Sequence, residues 1–375
     1  MNRTSIKKLS LMIKSSYLIV ILFFVLLQSC GTHKSQLEGI ALEKYSSLEG
    51  TGFTQEKFDA LTRHLENNLE TTGMLILKDG KVIYEYGDIT DVGYIASCRK
   101  SVLSILYGKH VEDGTIDLNQ TIGEIGIDED DGLLEIEKTA TVDHIINARS
   151  GVFHQPANGG YDEANIKARG SVKPGEYFVY NNWDFNVAGF ILEEKTGKSV
   201  YQEMEEQLAI PLGFQDWNIL NQKKRVKESK SRYPAYHMYI SARDMAKIGQ
   251  LMLNKGKWNG KQIVSEAWIE KITSAVTPLA EVNDRLGRTE SSPYQFSYGY
   301  MWWMIENFKQ HPDFEGAYTA QGWGGQFITV IPKLNVVVTH KYEVPTLVNW
   351  GLRPGGVGNY SYWALLHDYV VSAKD

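Results

Sequence analysis

Three short segments of this chain carry the residue types that acyl transfer needs. The first is Ser97-Cys98-Arg99-Lys100, opening a stretch to Val111 whose pattern predicts a helix. Residues three apart share a helix face, so Lys100 can reach the Ser97 hydroxyl. The helix N-terminus favours negative charge developing beside it. A serine is a weak nucleophile until a base takes its proton. Lysine can do so only where burial or nearby cations pull its pKa far below the usual value of about 10.4. Spacing alone is a weak signal: Ser5-Ile6-Lys7-Lys8 also matches, and most such pairs are solvated helix faces.

The second segment is Tyr180-Asn181-Asn182, the one Y-x-N in the chain. It follows the turn Lys173-Pro174-Gly175 and precedes a helix predicted to begin near Asp184. A tyrosine beside a lysine can relay the proton leaving a nucleophile to the leaving group. An asparagine amide both donates and accepts, so Asn182 can hold the lysine and a substrate carbonyl. The plain alternative is a surface turn capped by Asn182. The third segment, Gln321-Gly322-Trp323-Gly324-Gly325-Gln326, leads into a strand from Phe327 to Ile331. Glycines there would let a substrate approach the strand edge. The N–H groups of Gln326 and Ser97 would then form an oxyanion hole. The alternative is a glycine-rich hairpin turn with a packed tryptophan.

The elements that must position these residues are legible in outline. Phe53 to Leu69 reads as a helix capped by Thr54, with Phe58, Leu61, Leu65 and Leu69 at helical spacing. Gly73 to Gly87 reads as a hairpin, and Gln326 to Ile331 is expected to pair with Val336 to His340. Phe296 to Ile305 is an aromatic strand region, and a last helix is expected from about Tyr360 to Ala373. The middle is mostly helical: Asp184 to Lys195, a helix opened by the capping box Ser199/Gln202, and another opened by Ser241. Strands at both ends around a helical middle predict an α+β fold: one antiparallel sheet built from both chain ends, flanked by helices, with an inserted helical lobe.

The chain has 375 residues, 43% hydrophobic and 22% charged, an ordinary globular composition able to bury a sizeable core. Its net charge of −6 argues against nucleic acid as a partner. Arg3, Lys7, Lys8 and Lys14 precede an apolar run of 11 residues, Tyr17 to Leu27. A spanning helix needs roughly 20, so the pattern reads as an export signal over residues 1–29. Leu27-Gln28-Ser29-Cys30 resembles the bacterial lipobox, with Cys30 lipidated as the new N-terminus. Residues 30–52 would be a tether, and 53–375 the folded domain. The expected setting is the bacterial cell envelope, facing the periplasm or exterior. With Cys30 lipidated, only Cys98 of the two cysteines is left, so no internal disulfide is expected. Without the signal the chain would be more acidic still.

The order of the three segments resembles the serine β-lactamase and penicillin-binding family: S-x-x-K, then Y-x-N, then a short motif on a late strand. Ala148-Arg149-Ser150-Gly151-Val152, Tyr180 to Asn186, Pro211-Leu212-Gly213-Phe214 and Ser241 to Ala246 resemble its class C-like branch, from about Phe53 onward. That branch holds class C β-lactamases, DD-peptidases, family VIII esterases and nylon-oligomer hydrolases. The resemblance implies an acyl-enzyme on Ser97, Lys100 as general base, Tyr180 as proton relay and Asn182 as orienting group. It implies no metal and no cofactor, and none of the nine histidines has a metalloprotease-like spacing. Where class C enzymes have K-T-G, this chain has Trp323-Gly324-Gly325, which supplies no cation for a carboxylate. An ester or neutral amide is therefore the expected substrate class. β-Lactam or DD-peptide hydrolysis, or a lipid-tethered sensor with little turnover, is the alternative. Tyr236 and His237 are candidate pocket walls beside Trp323, Gly324 and Gly325. Arg99 and Lys341 are candidate substitute charges. Lys223 to Arg232 is expected as a solvated loop, and Asp128 to Asp131 as an exposed turn. Tyr298 to Trp303 reads as a core strand, with stacking on substrate as the alternative.

Overall fold

The computed structural model describes residues 39–371, apart from 161, 290, 309–310 and 344–355. The expectations for residues 1–38 and for Cys30 lie outside the described residues. Helix α1 (Gln55–Asn68) is capped by Thr54, whose hydroxyl accepts the Lys57 N–H, and buries Phe58, Leu61 and Leu65. The hairpin β1 (Gly73–Lys78) and β2 (Lys81–Gly87) follows. The central helix α2 (Cys98–Glu112) is buried on nearly every face. α3 (Asn182–Thr196) and α4 (Ala242–Leu253) belong to the helical middle, with the short α5 (Leu279–Arg285) after them. The other strands of the main sheet are β3 (Tyr294–Gly299), β4 (Trp302–Phe308), β5 (Tyr318–Gly322), β6 (Gln326–Ile331) and β7 (Val336–Lys341). α6 (Asn359–Leu365) closes the described chain and runs on into a wider turn to Val371.

The seven strands form one sheet in the order β2-β1-β7-β6-β5-β4-β3, with every neighbouring pair antiparallel. The N-terminal hairpin thus joins the C-terminal strands through β1 and β7, where Gly73 faces Lys341 and Lys78 faces Val336. β6 and β7 are buried along their whole length, as central strands covered on both faces must be. Alternate side chains divide those faces. Ile328 and Val337 meet α4 at Gly249, while Phe327 stacks on Tyr362 of α6 with ring centroids 3.7 Å apart.

Two sequence expectations are corrected. Lys223–Lys227 is not a loop but a strand, paired with Ser231–His237 in a two-stranded ribbon. Its side chains are all exposed, as its charges require, while the partner strand is mostly buried. Nor is Asp128–Asp131 wholly exposed. The Glu129 carboxylate is buried and accepts from Trp183 Nε1 (2.7 Å), the Ser231 hydroxyl (2.5 Å) and the Arg232 N–H (2.9 Å), fastening the ribbon to α3.

Candidate active site

Ala96, the residue before Ser97, has φ of 48°, a left-handed conformation that an alanine adopts only when its surroundings impose it. The imposing contact is Gly322 at the end of β5. A Cβ on Gly322 would sit 2.5 Å from the Ile95 carbonyl oxygen and 3.2 Å from Ala96 Cβ. The glycine therefore lets the strand edge close on the loop that carries Ser97. Ser97 stands at the N-cap of α2 yet makes no side-chain cap, so its hydroxyl is not spent on the helix.

The hydroxyl instead faces Lys100. Lys100 Nζ lies 3.0 Å from Ser97 Oγ and 2.8 Å from Tyr180 Oη, bringing the first two sequence segments together. Lys100 is 1% exposed. Burial, reinforced by the Arg99 charge, holds its pKa well below the ordinary lysine range. Burial also pushes the Tyr180 phenol well above its usual value, with the Ser97 hydrogen bond opposing. Burial therefore shifts both groups toward their neutral forms, an amine that can accept a proton beside a phenol that can pass one on. The faces of Tyr180 and Phe185 lie 4.0 and 4.3 Å from Nζ, where they favour the ammonium once it forms. Tyr180 is packed against Phe185, Tyr298 and Trp303, which fixes its ring.

Arg99 is as buried as Lys100 and has no carboxylate within ion-pair distance among the described residues. Its Nη2 donates to Asn186 Oδ1 (3.1 Å), its Cζ lies 4.2 Å from the Tyr236 ring centre, and Nη1 has no hydrogen-bond partner. It does not reach the cleft as a substrate charge. It is a fixed cation behind Lys100. Lys341 is equally unavailable, because it donates to the carbonyls of Asp91 (2.7 Å) and Ile240 (2.8 Å). Cys98 is buried, and burial pushes its thiol far above the usual range, so it does not compete as a nucleophile.

Gln326 begins β6 beside the same helix end: its carbonyl accepts from the Cys98 thiol at 3.2 Å. The Ser97 N–H has no acceptor among the described residues. Other predicted site residues sit elsewhere than expected. Asn182 donates to the Gly159 carbonyl rather than to Lys100, because the loop at Gly159–Gly160 closes over its amide. The helix cap falls to Asn181, whose Oδ1 accepts the Trp183 N–H. Tyr236 is fully buried beneath Arg99 and His237 stacks on Tyr94 with centroids 4.6 Å apart, so neither walls the cleft. His237 is desolvated there, which lowers its pKa to about 3. Gly324 and Gly325 form the β5–β6 turn with φ of 80° and 100°; Val357 packs on the buried Gly325, while Gly324 is half-buried. Trp323 stands 56% exposed at the tip of that turn.

The cleft that opens beside Tyr180 has a volume of about 450 Å³. Its lining includes Arg285, Arg288, Asp162, Phe296, Trp303, Gln321 and Asn359. Of these the sequence flagged Gln321, which opens the third segment, and Phe296 and Trp303 of the aromatic strand region; Trp303 is both a buried strand residue and a wall. Arg285 and Arg288 form no motif with the catalytic segments, and only the fold brings them near Tyr180.

Comparison with known proteins identifies the family and the fold. The Beta-lactamase family profile matches residues 58–340. The chain belongs to the Beta-lactamase family. It is 24% identical over 336 residues to a 6-aminohexanoate-dimer hydrolase of Paenarthrobacter ureafaciens, covering 80% of this chain and 81% of the relative. Its fold is similar to that of a family VIII carboxylesterase, with a TM-score of 0.61 and 15% identity, covering 88% of this chain and 99% of that one. It is also similar to a penicillin-binding protein homologue from Pyrococcus abyssi, with a TM-score of 0.59 and 19% identity, covering 85% and 78%. As a Beta-lactamase family member the chain is a serine hydrolase of the class C-like branch, and its antiparallel sheet with flanking helices is that family's fold.

Proposed function

We propose that this chain hydrolyses a carboxylic ester or a neutral amide through an acyl-enzyme on Ser97. The carrying observation is the buried Lys100 amine, 3.0 Å from Ser97 Oγ and 2.8 Å from Tyr180 Oη. Lys100 takes the Ser97 proton as Oγ bonds to the substrate carbonyl carbon. The proton passes through Tyr180 to the leaving oxygen or nitrogen as its bond to that carbon breaks. Water then attacks the acyl-enzyme with the same groups working in reverse. The N–H groups of Ser97 and Gln326 hold the developing oxyanion. The names of the relatives, a 6-aminohexanoate-dimer hydrolase and a carboxylesterase, support amide and ester chemistry. Trp323, where class C enzymes are cationic, supports the same choice over β-lactams. The test is mass spectrometry of the protein quenched during p-nitrophenyl butyrate turnover. A butyryl group is expected on the peptide holding Ser97, with none in Ser97→Ala. Turnover without that adduct, or unchanged in the variant, defeats the assignment.

The reading extends to location: Cys30 carries the lipid that tethers the hydrolase in the cell envelope. The order of charge, apolar run and Leu27-Gln28-Ser29-Cys30 supports it. Among the described residues no helix is long and apolar enough to cross a membrane. Cells fed an alkyne fatty acid should label the wild-type protein and leave Cys30→Ala unlabelled; equal labelling of both refutes the anchor.

A further inference from the structure

Six cations lie in the ten residues from Lys223 to Arg232, on a chain whose net charge is −6. They belong to the ribbon of Lys223–Lys227 and Ser231–His237, whose outer strand is exposed at every residue. Lys224 pairs with Glu193 of α3, and Arg232 with Asp130 at 3.6 Å. Lys223, Arg225, Lys227 and Lys230 have no carboxylate within ion-pair distance among the described residues. The one acid of the stretch, Glu228, stands exposed in the turn between the strands. Charge alone would keep such an edge strand from pairing with a neighbour. The ribbon carries more than charge. Val226 is 54% exposed where the pairing register shifts between Arg225 and Lys227. Leu220, three residues before the ribbon, is 81% exposed. It is held there in the turn Ile219–Asn221, its N–H donating to the Asn218 side chain at 2.9 Å.

The start of the described chain is fastened to the segment that leads into this patch. The Ile40 N–H donates to the Gly213 carbonyl at 2.8 Å, and a Cβ on Gly39 would lie 2.7 Å from the Gln215 side chain. Gln215 is five residues before Leu220, so at most about 18 Å of chain separates them. Ile40 is exposed, and so is Ile210, whose carbonyl accepts the Gly213 N–H at 3.1 Å. Eight residues lie between Cys30 and Gly39. A lipid on Cys30 would therefore hold the domain by at most about 30 Å of chain. That is short beside a domain of this length, with a radius of gyration of about 20 Å. A stem attached at Gly213 and Gln215 keeps the region from Leu220 to Arg232 near the bilayer.

We infer that the ribbon and Leu220 rest on an anionic phospholipid surface. Lys223, Arg225, Lys227 and Lys230 meet the headgroup phosphates, and Leu220 and Val226 enter the interface beside them. Cations interspersed with exposed apolar side chains are what such a surface binds, through charge and buried apolar area together. Acids near the patch are already engaged. Glu193 holds Lys224, Asp216 pairs with Arg243, and Glu205 accepts from Trp217 Nε1 at 2.9 Å. The inference rests on the lipid-anchored location read above and adds which face of the domain meets the membrane.

The test uses the full chain, purified in detergent from expressing cells and reconstituted with vesicles of phosphatidylcholine alone or mixed with phosphatidylglycerol. A water-soluble acetylating ester is added, and mass spectrometry gives the rate at each lysine. Lys257 and Lys261, exposed beyond the far end of α4, are the internal reference. On anionic vesicles Lys223, Lys227 and Lys230 should react about three-fold or more slowly relative to that reference, and added salt should abolish the difference. A triple variant, Leu220→Ser with Lys227→Gln and Lys230→Gln, should lose the slowing at Lys223 while hydrolysing p-nitrophenyl butyrate as wild type does. Relative rates unaltered by anionic lipid overturn the proposal, and so does a triple variant that slows as much as wild type. Flotation of the vesicles separates this result from the anchor. A chain that floats with phosphatidylcholine yet shows no slowing on anionic lipid loses the ribbon contact and keeps the anchor. One that floats, and slows, on anionic vesicles alone keeps the contact and loses the anchor. One that floats with neither loses both.

Discussion

Replacing Lys100 with methionine is expected to lower kcat/KM for ester hydrolysis by about a thousand-fold, within the range general-base catalysis supplies, while the chain stays folded. Among the described residues Lys100 Nζ lies within hydrogen-bond reach of both the nucleophile and the relay. Tyr180 is no substitute base, because burial holds its phenol protonated. The stability side of the forecast comes from the same burial. Desolvation first and Arg99 second disfavour the ammonium form of this amine, so the folded protein bears a cost that an apolar side chain removes. Methionine matches the length of lysine and can pack on the Tyr180 and Phe185 faces. The thermal midpoint should therefore stay level or rise while activity collapses, the opposite of what a structural lysine would show. The pH profile adds a second readout. The active form has Lys100 unprotonated, so kcat/KM falls as pH drops through the lysine's lowered pKa. Removing the neighbouring charge in Arg99→Gln lets Lys100 hold its proton to higher pH, and the acid limb should move upward; Arg99→Lys should leave it in place. A Lys100→Met variant keeping more than a tenth of wild-type activity, or an acid limb that stays fixed in Arg99→Gln, would refute this account.

What the sequence disclosed and what it withheld divide along contact range. The start of α2 was legible because S-x-x-K and the helical pattern after it are local, and the reach from Ser97 to Lys100 is set by helix geometry. The hairpin of β1 and β2 and the Ser199/Gln202 capping box are equally local, and both are present. The β6–β7 pairing was readable across the turn at Pro332–Asn335, and the meeting of both chain ends in one sheet followed. Failures arose where a partner distant in sequence decided the outcome. Glu129 sits in an acidic run that looks solvated, yet three donors from two remote segments bury it. Tyr236 and His237 precede α4 as a cleft wall would, but Arg99 and Tyr94 occupy the side they present. Asn182 was assigned to Lys100 from its motif, whereas the Gly159–Gly160 loop takes its amide. The glycines around Trp323 were read as access for a ligand. Gly322 in fact admits the protein's own Ile95–Ala96 loop, and so sets where Ser97 stands.

The Ser241 to Ala246 stretch illustrates a family-like segment whose work is architectural, and it carries the largest expected stability effect. Ser241 caps α4 by accepting the Asp244 N–H at 3.2 Å. The Asp244 carboxylate, with no exposed surface, accepts the N–H groups of Gln215 (2.9 Å) and Asp216 (2.8 Å). That ties α4 to the chain just after Pro211-Leu212-Gly213-Phe214, the other family-like stretch. Lys247, also unexposed, lies 3.4 Å from Asp244 and donates to the Gly213 carbonyl. Burial pushes the Asp244 carboxyl up and the Lys247 amine down, so each charged form relies on the other. Asp244→Ala removes the acceptor of two backbone N–H groups and leaves Lys247 buried without its counter-charge. Breaking one side of such a buried pair costs about 3–5 kcal/mol, and urea denaturation of the variant should show a loss of that size. Replacing both residues, as Asp244→Ala with Lys247→Met, should recover part of it, because the stranded charge is gone and only the two N–H groups lack acceptors. A single variant that loses less than about 1 kcal/mol, the scale of an exposed ion pair, would show that the pair contributes little. A double variant no more stable than Asp244→Ala would place the cost in the backbone N–H groups rather than in the buried lysine.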